Sequence, residues 1–191
     1  YRPSVTSGSI INADKAGVVL RGCVYPRVDT HVEGATFTGL GYAIDATGCQ
    51  HGDFRATAQR CGMVYTGGAL DSTYNYWPQR NSIYRRTWGR DLLRAAMDSH
   101  PGQYYATYEG GEFHMAAEQS ASDDAIVMSA SRLTLGDITV VGSHRHGLVV
   151  QYNSCWDDTD PDWVDIGNYT SHSPQSANPL IIQAASSAST K

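Results

Sequence analysis

The sequence predicts an α+β domain: one main helix packed on an antiparallel β-sheet, disulfide-stabilised. Three observations point there. From Asn81 to Ser99, the residues Trp88, Leu92, Leu93, Ala96 and Met97 recur at spacings of three and four, giving one apolar face. After that segment come short apolar runs separated by Gly-rich breaks, the pattern of a strand succession. Cys23, Cys49, Cys61 and Cys155 make an even count with no Cys-x-x-Cys spacing, which suits disulfides better than a zinc or thioredoxin-type site.

The elements follow in order. Residues 1–15 are polar and read as a loop or edge strand. Ala16 to Tyr25 reads as a strand stopped by Pro26, Val32 to Asp45 as a second with a glycine-rich bend, and Cys61 to Thr66 as a third. Residues 1 to about 60 thus form an N-terminal β extension of a single domain spanning 1–191. Asn81 or Ser82 caps the helix, and His100-Pro101-Gly102 ends it. Arg86, Arg90 and Arg94 fall four apart on its other face. Strands are expected at Tyr104–Tyr108, Glu112–Ala117, Ala125–Ala130, Ile138–Gly142 and Leu148–Tyr152, with hairpin turns at Gly136-Asp137 and His146-Gly147. Pro179 to Ala184 adds an edge strand, residues 185–191 form a flexible tail, and no internal repeat stands out. Of three possible disulfide connectivities, Cys23–Cys49 with Cys61–Cys155 is favoured, because the first closes a local loop and the second ties the domain front to its last strand.

Composition points to secretion. Charged residues are sparse at 17%, and Lys15 and Lys191 are the only lysines among 14 basic residues. A start at Tyr1 fits a mature secreted form, and Asn168-Tyr169-Thr170 is a glycosylation sequon at Asn168. No apolar run reaches the roughly 20 residues of a membrane span. The net charge of −5 gives no general attraction for nucleic acid.

Several groups carry possible chemistry. His144 and His146 lie two apart, so in an extended strand both imidazoles face one way. His114 and a carboxylate would complete a site, but spacing fixes no third ligand, and neither a metal nor a cofactor is expected. The acidic run from Asp157 to Asp165 starts like a calcium loop, yet Trp163 stands where glycine is needed and Tyr169 where a bidentate glutamate is needed. Arginines at 80, 85, 86, 90 and 94 suit bidentate phosphate contacts, or pairing with the acidic run. Tyr74, Tyr76, Trp77 and Tyr84 offer rings near them for stacking, as do Tyr104, Tyr105 and Tyr108.

The run Ser-His-Pro-Gly-Gln-Tyr-Tyr-Ala-Thr-Tyr-Glu-Gly-Gly-Glu-Phe from Ser99, with His144 lying 11 residues before Cys155, resembles part of the small secreted fungal guanyl-specific ribonucleases. The resemblance covers residues 99–155. It implies that Glu112 or Glu118 takes the 2′-hydroxyl proton and that His144 protonates the leaving oxygen. Glu109 and Tyr108 would face the base, and Arg90, Arg94 or Arg132 would neutralise the phosphate. The chain departs from that family where its strand-opening arginine would stand, since Asp124-Ala125-Ile126 occupies the place and Arg132 lies at the strand's far end.

Three functions follow. The first is a secreted, toxin-like effector acting on a protein or glycan target through a binding surface. The second is a ribonuclease-like hydrolase with RNA as substrate. The third is a carbohydrate-binding or carbohydrate-cleaving protein, resting on exposed Trp and Tyr with abundant Asp. Whether the chain is an enzyme is left open. A ribonuclease requires His144, a glutamate and an arginine to converge, whereas a carbohydrate reader requires a groove floored by aromatic rings.

Overall fold

The chain folds as a β-solenoid, described by a computed structural model for residues 2–35, 41–68, 77–100, 102–120, 122–129, 132–151, 163–172 and 178–183. Its strands run β1 (Ser4–Ile11), β2 (Ala16–Arg21), β3 (Arg27–Glu33), β4 (Tyr42–Thr47), β5 (Asp53–Gln59) and β6 (Met63–Gly68). They continue with β7 (Gln79–Arg80), β8 (Ile83–Tyr84), β9 (Thr87–Leu92), β10 (Met97–Ser99), β11 (Gln103–Tyr104) and β12 (Thr107–Met115). The last are β13 (Ile126–Met128), β14 (Leu133–Val141), β15 (His146–Gln151), β16 (Val164–Ile166), β17 (Tyr169–His172) and β18 (Asn178–Gln183).

Alternate strands pair in parallel. A nine-stranded sheet runs β1-β3-β5-β8-β12-β14-β16, with β9 and β17 continuing β8 and β16, and a seven-stranded sheet runs β18-β15-β13-β10-β6-β4-β2. A short third side joins β7 to β11 and is continued by the bridges Val24↔Gln50 and Gln50↔Arg80. The result is a coil of three sides, each turn stacked on the one before.

Left-handed residues make the corners. Tyr25, His51, Asn81, Tyr105 and Arg132 all have φ between 51° and 56°. Each stands two residues before a position of one registered row, Arg27↔Asp53↔Ile83↔Thr107↔Thr134. Their backbone N–H groups donate across the turns, Tyr25 to Gln50, His51 to Arg80 and Asn81 to Tyr104. None is glycine, so the strain of the left-handed region is offset by stacking. Tyr25 and His51 stack at 4.8 Å, and the Arg132 guanidinium lies over Tyr105 while donating to its hydroxyl at 3.2 Å.

Inside the coil, equivalent positions form columns. Val28, Phe54, Tyr84, Tyr108, Leu135 and Ile166 follow one another in register. Tyr84 and Tyr108 stack face to face at 4.2 Å, and Phe54 tilts against Tyr84 at 5.1 Å. Their hydroxyls are satisfied from the third side. Gln79 Nε2 donates to Tyr84 Oη at 2.6 Å, Tyr108 Oη donates to Gln103 Oε1 at 3.0 Å, and Gln103 donates to Gln79 Oε1 at 3.2 Å. A buried phenol must find such partners, so the glutamine pair is part of the core.

This architecture corrects the α+β expectation. Among the described residues every regular element is a strand, and the sheets are parallel. The segment 81–99 is not a helix but β8, β9, a corner and β10. Thr87, Gly89 and Leu92 point inward while Trp88 and Arg90 point out, so the alternation is that of a strand. The corner at 93–96 shifts the next inward residues, and strand plus corner imitates helical spacing. Gly136-Asp137 lies inside β14 and His146-Gly147 opens β15, so neither is a hairpin turn. A repeat also exists. Successive positions of the nine-stranded sheet are 22 to 31 residues apart, as in Ser9↔His31 and Leu133↔Val164.

The structure is not disulfide-stabilised among the described residues either. Cys23, Cys49 and Cys61 are free thiols, and Cys155 lies outside the described residues. Cys23 and Cys49 precede the bridged pair Val24↔Gln50 and so occupy equivalent positions of adjacent turns. Parallel neighbours stand about 4.8 Å apart, whereas a disulfide draws its Cβ atoms to about 3.8 Å. Each sulfur instead donates to a backbone carbonyl, Cys23 to Arg21, Cys49 to Thr47, and Cys61 to Val32 and Gln59. The tail 185–191, the residues Tyr74 and Tyr76, and the acidic residues 157–162 also fall outside the described set.

Candidate binding face

The outward side chains of the nine-stranded sheet form a grid. Strand pleating sends every second residue out, and the parallel register aligns them between turns. One row runs His31, Thr57, Trp88, Glu112, Thr139 and Thr170. Beside it, Asp29 aligns with Arg55, and Arg85 and Glu109 follow the paired Tyr84 and Tyr108. Neighbouring side chains along a row are about 4.8 Å apart, so the five steps of this row make a track of roughly 24 Å.

At the strand starts this face sinks into a groove of about 350 Å³. Arg85 organises its floor. Its Nε and Nη2 donate to the two oxygens of Asp53 at 2.8 and 3.1 Å, and Nη1 donates to Glu109 Oε1 at 2.9 Å. The other Glu109 oxygen accepts the Arg86 backbone N–H at 3.0 Å. The hydrogen bonds from Arg85 hold the Asp53 carboxyl below its usual range, and the same bonds raise Arg85. Arg27, Arg55 and Arg86 line the groove, are exposed, and make no ion pair with another described residue.

Farther along the strands the face becomes aromatic. Trp88 is 38% exposed, with the His31 ring tilted beside it at 5.9 Å and the Arg90 guanidinium at 5.8 Å. His31 Nδ1 and Thr57 Oγ1 are hydrogen-bonded at 2.8 Å. Glu112 and His114 pair at 2.5 Å, and that bond draws the Glu112 carboxyl below its usual range. The face therefore offers one indole surface, several hydroxyls, and both donor and acceptor charges.

The site residues expected from sequence are scattered relative to this face. Glu109, Glu112 and Arg90 lie on it. Tyr108 is 1% exposed, inside the core, and presents no ring to a ligand. Arg132 is a buried corner residue. The backbone carbonyl of Arg94 accepts from Gln119 Nε2 at 2.6 Å. Glu118 lies in the loop after β12, beside a smaller cavity lined by Arg60 and Asp91. The His144 backbone N–H donates to Gln119 Oε1 at 3.0 Å, whereas Glu112 is engaged by His114. Asn168 is exposed between β16 and β17, its backbone and side-chain N–H groups donating to Asp137 Oδ1.

Trp88, expected on the apolar face of a helix, is instead on the outer face of β9, and Arg27, Asp29, His31, Asp53 and Arg55 were not singled out from the sequence. A signal for them exists. Gly22-Cys23 and Gly48-Cys49 each precede a strictly alternating heptad, Arg27–Glu33 and Asp53–Gln59, at the same offset.

Among the described residues no group of three or more His, Cys, Asp and Glu is disposed to hold a metal ion, and no helix is long and apolar enough to cross a membrane. No protein-family model, curated protein or solved structure matches the chain.

Proposed function

We propose that the chain is a carbohydrate-binding protein that docks an extended glycan along the outer face of the nine-stranded sheet. The observation that carries this reading is the row around Trp88, an exposed indole set among His31, Thr57, Glu112 and Thr139. A sugar ring has an apolar face that packs on an aromatic ring. Its hydroxyls both donate and accept, so a surface of carboxylates, guanidiniums and threonines satisfies them. The straight track suits a linear polymer. This reading narrows the secreted, toxin-like effector acting through a binding surface to one face and one ligand class.

RNA as the ligand is less well supported. Polyphosphate binding draws its affinity from net positive charge, while this chain carries −5 and sets carboxylates along the same face. Cleavage by a His144–Glu112 pair is also disfavoured, since Glu112 is paired with His114. An extracellular setting is part of the proposal. It is supported by the scarcity of lysine and by the exposed sequon at Asn168, and no longer by paired cysteines.

The test is affinity electrophoresis of the folded chain through gels holding a panel of neutral and charged polysaccharides, with Trp88→Ala run beside it. Retardation by at least one polysaccharide, lost in the variant, is the expected result. A folded protein that none retards, or one that cleaves RNA in a His144-dependent way, overturns the reading.

A further inference from the structure

The groove beside the Trp88 row has its own electrostatic character. Four arginines and three carboxylates line it, Arg27, Arg55, Arg85 and Arg86 against Asp29, Asp53 and Glu109. Asp53 and Glu109 both spend their acceptors on Arg85 and on the Arg86 backbone. That internal bridge has one positive and two negative charges. What remains is three guanidiniums, Arg27, Arg55 and Arg86, with one carboxylate, Asp29. Taken together, the four arginines and three carboxylates leave the groove one positive charge in excess, a local reversal of sign in a chain of net charge −5.

We propose that this groove is an anion subsite, taking a carboxylate or sulfate group carried by the bound glycan. The inference rests on the carbohydrate reading and specifies its ligand as an acidic one. Arg27, Arg55 and Arg86 have donor forks matched to a planar carboxylate or to sulfate oxygens. Arg85 is the positioning residue: it holds Asp53 and Glu109 in place and offsets one of their two negative charges, which would otherwise repel the incoming anion more strongly. The Arg85→Gln variant leaves both carboxylates uncompensated, so it weakens anion binding although Arg85 touches no ligand.

The experiment is an NMR titration of the full chain, following arginine Nε–Hε signals, with glucuronate, inorganic sulfate and neutral glucose. Saturable shifts at Arg27, Arg55 and Arg86 with glucuronate, absent with glucose, are expected. Binding should weaken at least about tenfold in Arg55→Gln, the loss expected when one charge-assisted hydrogen bond is removed, and stay unchanged in the distant Arg60→Gln. The same chain is then compared on dextran, carboxymethyl-dextran and dextran sulfate, which share one backbone and differ in charge. Glucuronate shifts with tighter binding of a charged dextran support the proposal, and the preferred derivative tells carboxylate from sulfate. No saturable shift with either anion overturns the subsite, whatever the polysaccharide gels show. Shifts with sulfate alone contradict a sugar acid as ligand. Anion binding without retardation by any polysaccharide contradicts the glycan reading while leaving an anion site.

Discussion

The two large sheets are built from the same turns of chain, yet they treat their side chains differently. In the nine-stranded sheet burial alternates along β3, β5 and β14, so one face is core and the other meets solvent. In the seven-stranded sheet β6 is buried along its whole length, and β4 and β15 are buried at all but their end residues. Its exposed apolar side chains, Val19, Leu180 and Ile182, sit on the outermost strands β2 and β18. A solenoid can therefore dedicate one side to packing and another to display. The displayed side is where the arginines, carboxylates and Trp88 are aligned.

Breaking the column inside the coil should cost most. Tyr84→Ala removes the central ring of the Phe54–Tyr84–Tyr108 stack and strands Gln79. A loss of about 3–5 kcal/mol in urea unfolding is expected, as for other buried aromatics cut to alanine. A loss under about 1 kcal/mol would contradict the tyrosine column as the core. Gly67→Ala tests the same column from β6. The new methyl group would overlap the Tyr84 hydroxyl and Gln79 Oε1, and overpacking of this kind costs about 1–3 kcal/mol.

The displayed side should respond in the opposite way. Trp88→Ala is expected to cost less stability than Tyr84→Ala, because Trp88 is partly exposed and lies outside the core column, while abolishing retardation by the polysaccharide ligand. The Asp53–Arg85 bridge gives a pH signature. Asp53 has a folded pKa below its unfolded value, so its contribution is present above the ordinary aspartate range near about 3.9 and is lost as pH falls through the folded value. The stability gap between the wild type and Asp53→Asn should therefore be small at pH 7, because the pair is partly exposed, and should vanish by about pH 2. A gap that widens on acidification would contradict the bridge. The smallest effect is chemical. Burial pushes the Cys49 thiol up to about 12, so alkylation at pH 8 should label half-buried Cys23 first and reach Cys49 only on unfolding.

What could be read in the sequence divides along the same line. Strands at 16–25, 125–130 and 148–152 were legible because apolar runs ended at glycine, proline or polar residues, and they match β2, β13 and β15 within a few residues. The corners were not legible. Tyr25, His51, Asn81, Tyr105 and Arg132 share a left-handed backbone without sharing a side-chain type, so no turn motif marks them. Turn lengths of 22 to 31 residues hid the repeat, and the corner after Leu92 gave a strand the spacing of a helix. The candidate site suffered for the same reason. Glu109, Glu112 and Arg90 were singled out, but Asp53 and Arg55 come from an earlier turn and form no local motif with them, and Trp88, in the same strand as Arg90, carried only the spacing of a helix face. Only the parallel register brings them together.

The most direct experiment sets the two sheets against each other. Trp88→Ala on the displayed face and Val19→Ser on the seven-stranded sheet are compared by affinity electrophoresis on the best polysaccharide of the panel. Trp88→Ala should migrate as though no polysaccharide were present, while Val19→Ser is retarded like the wild type. Retardation that survives Trp88→Ala and disappears with Val19→Ser would place the ligand on the other sheet and contradict a binding face around Trp88.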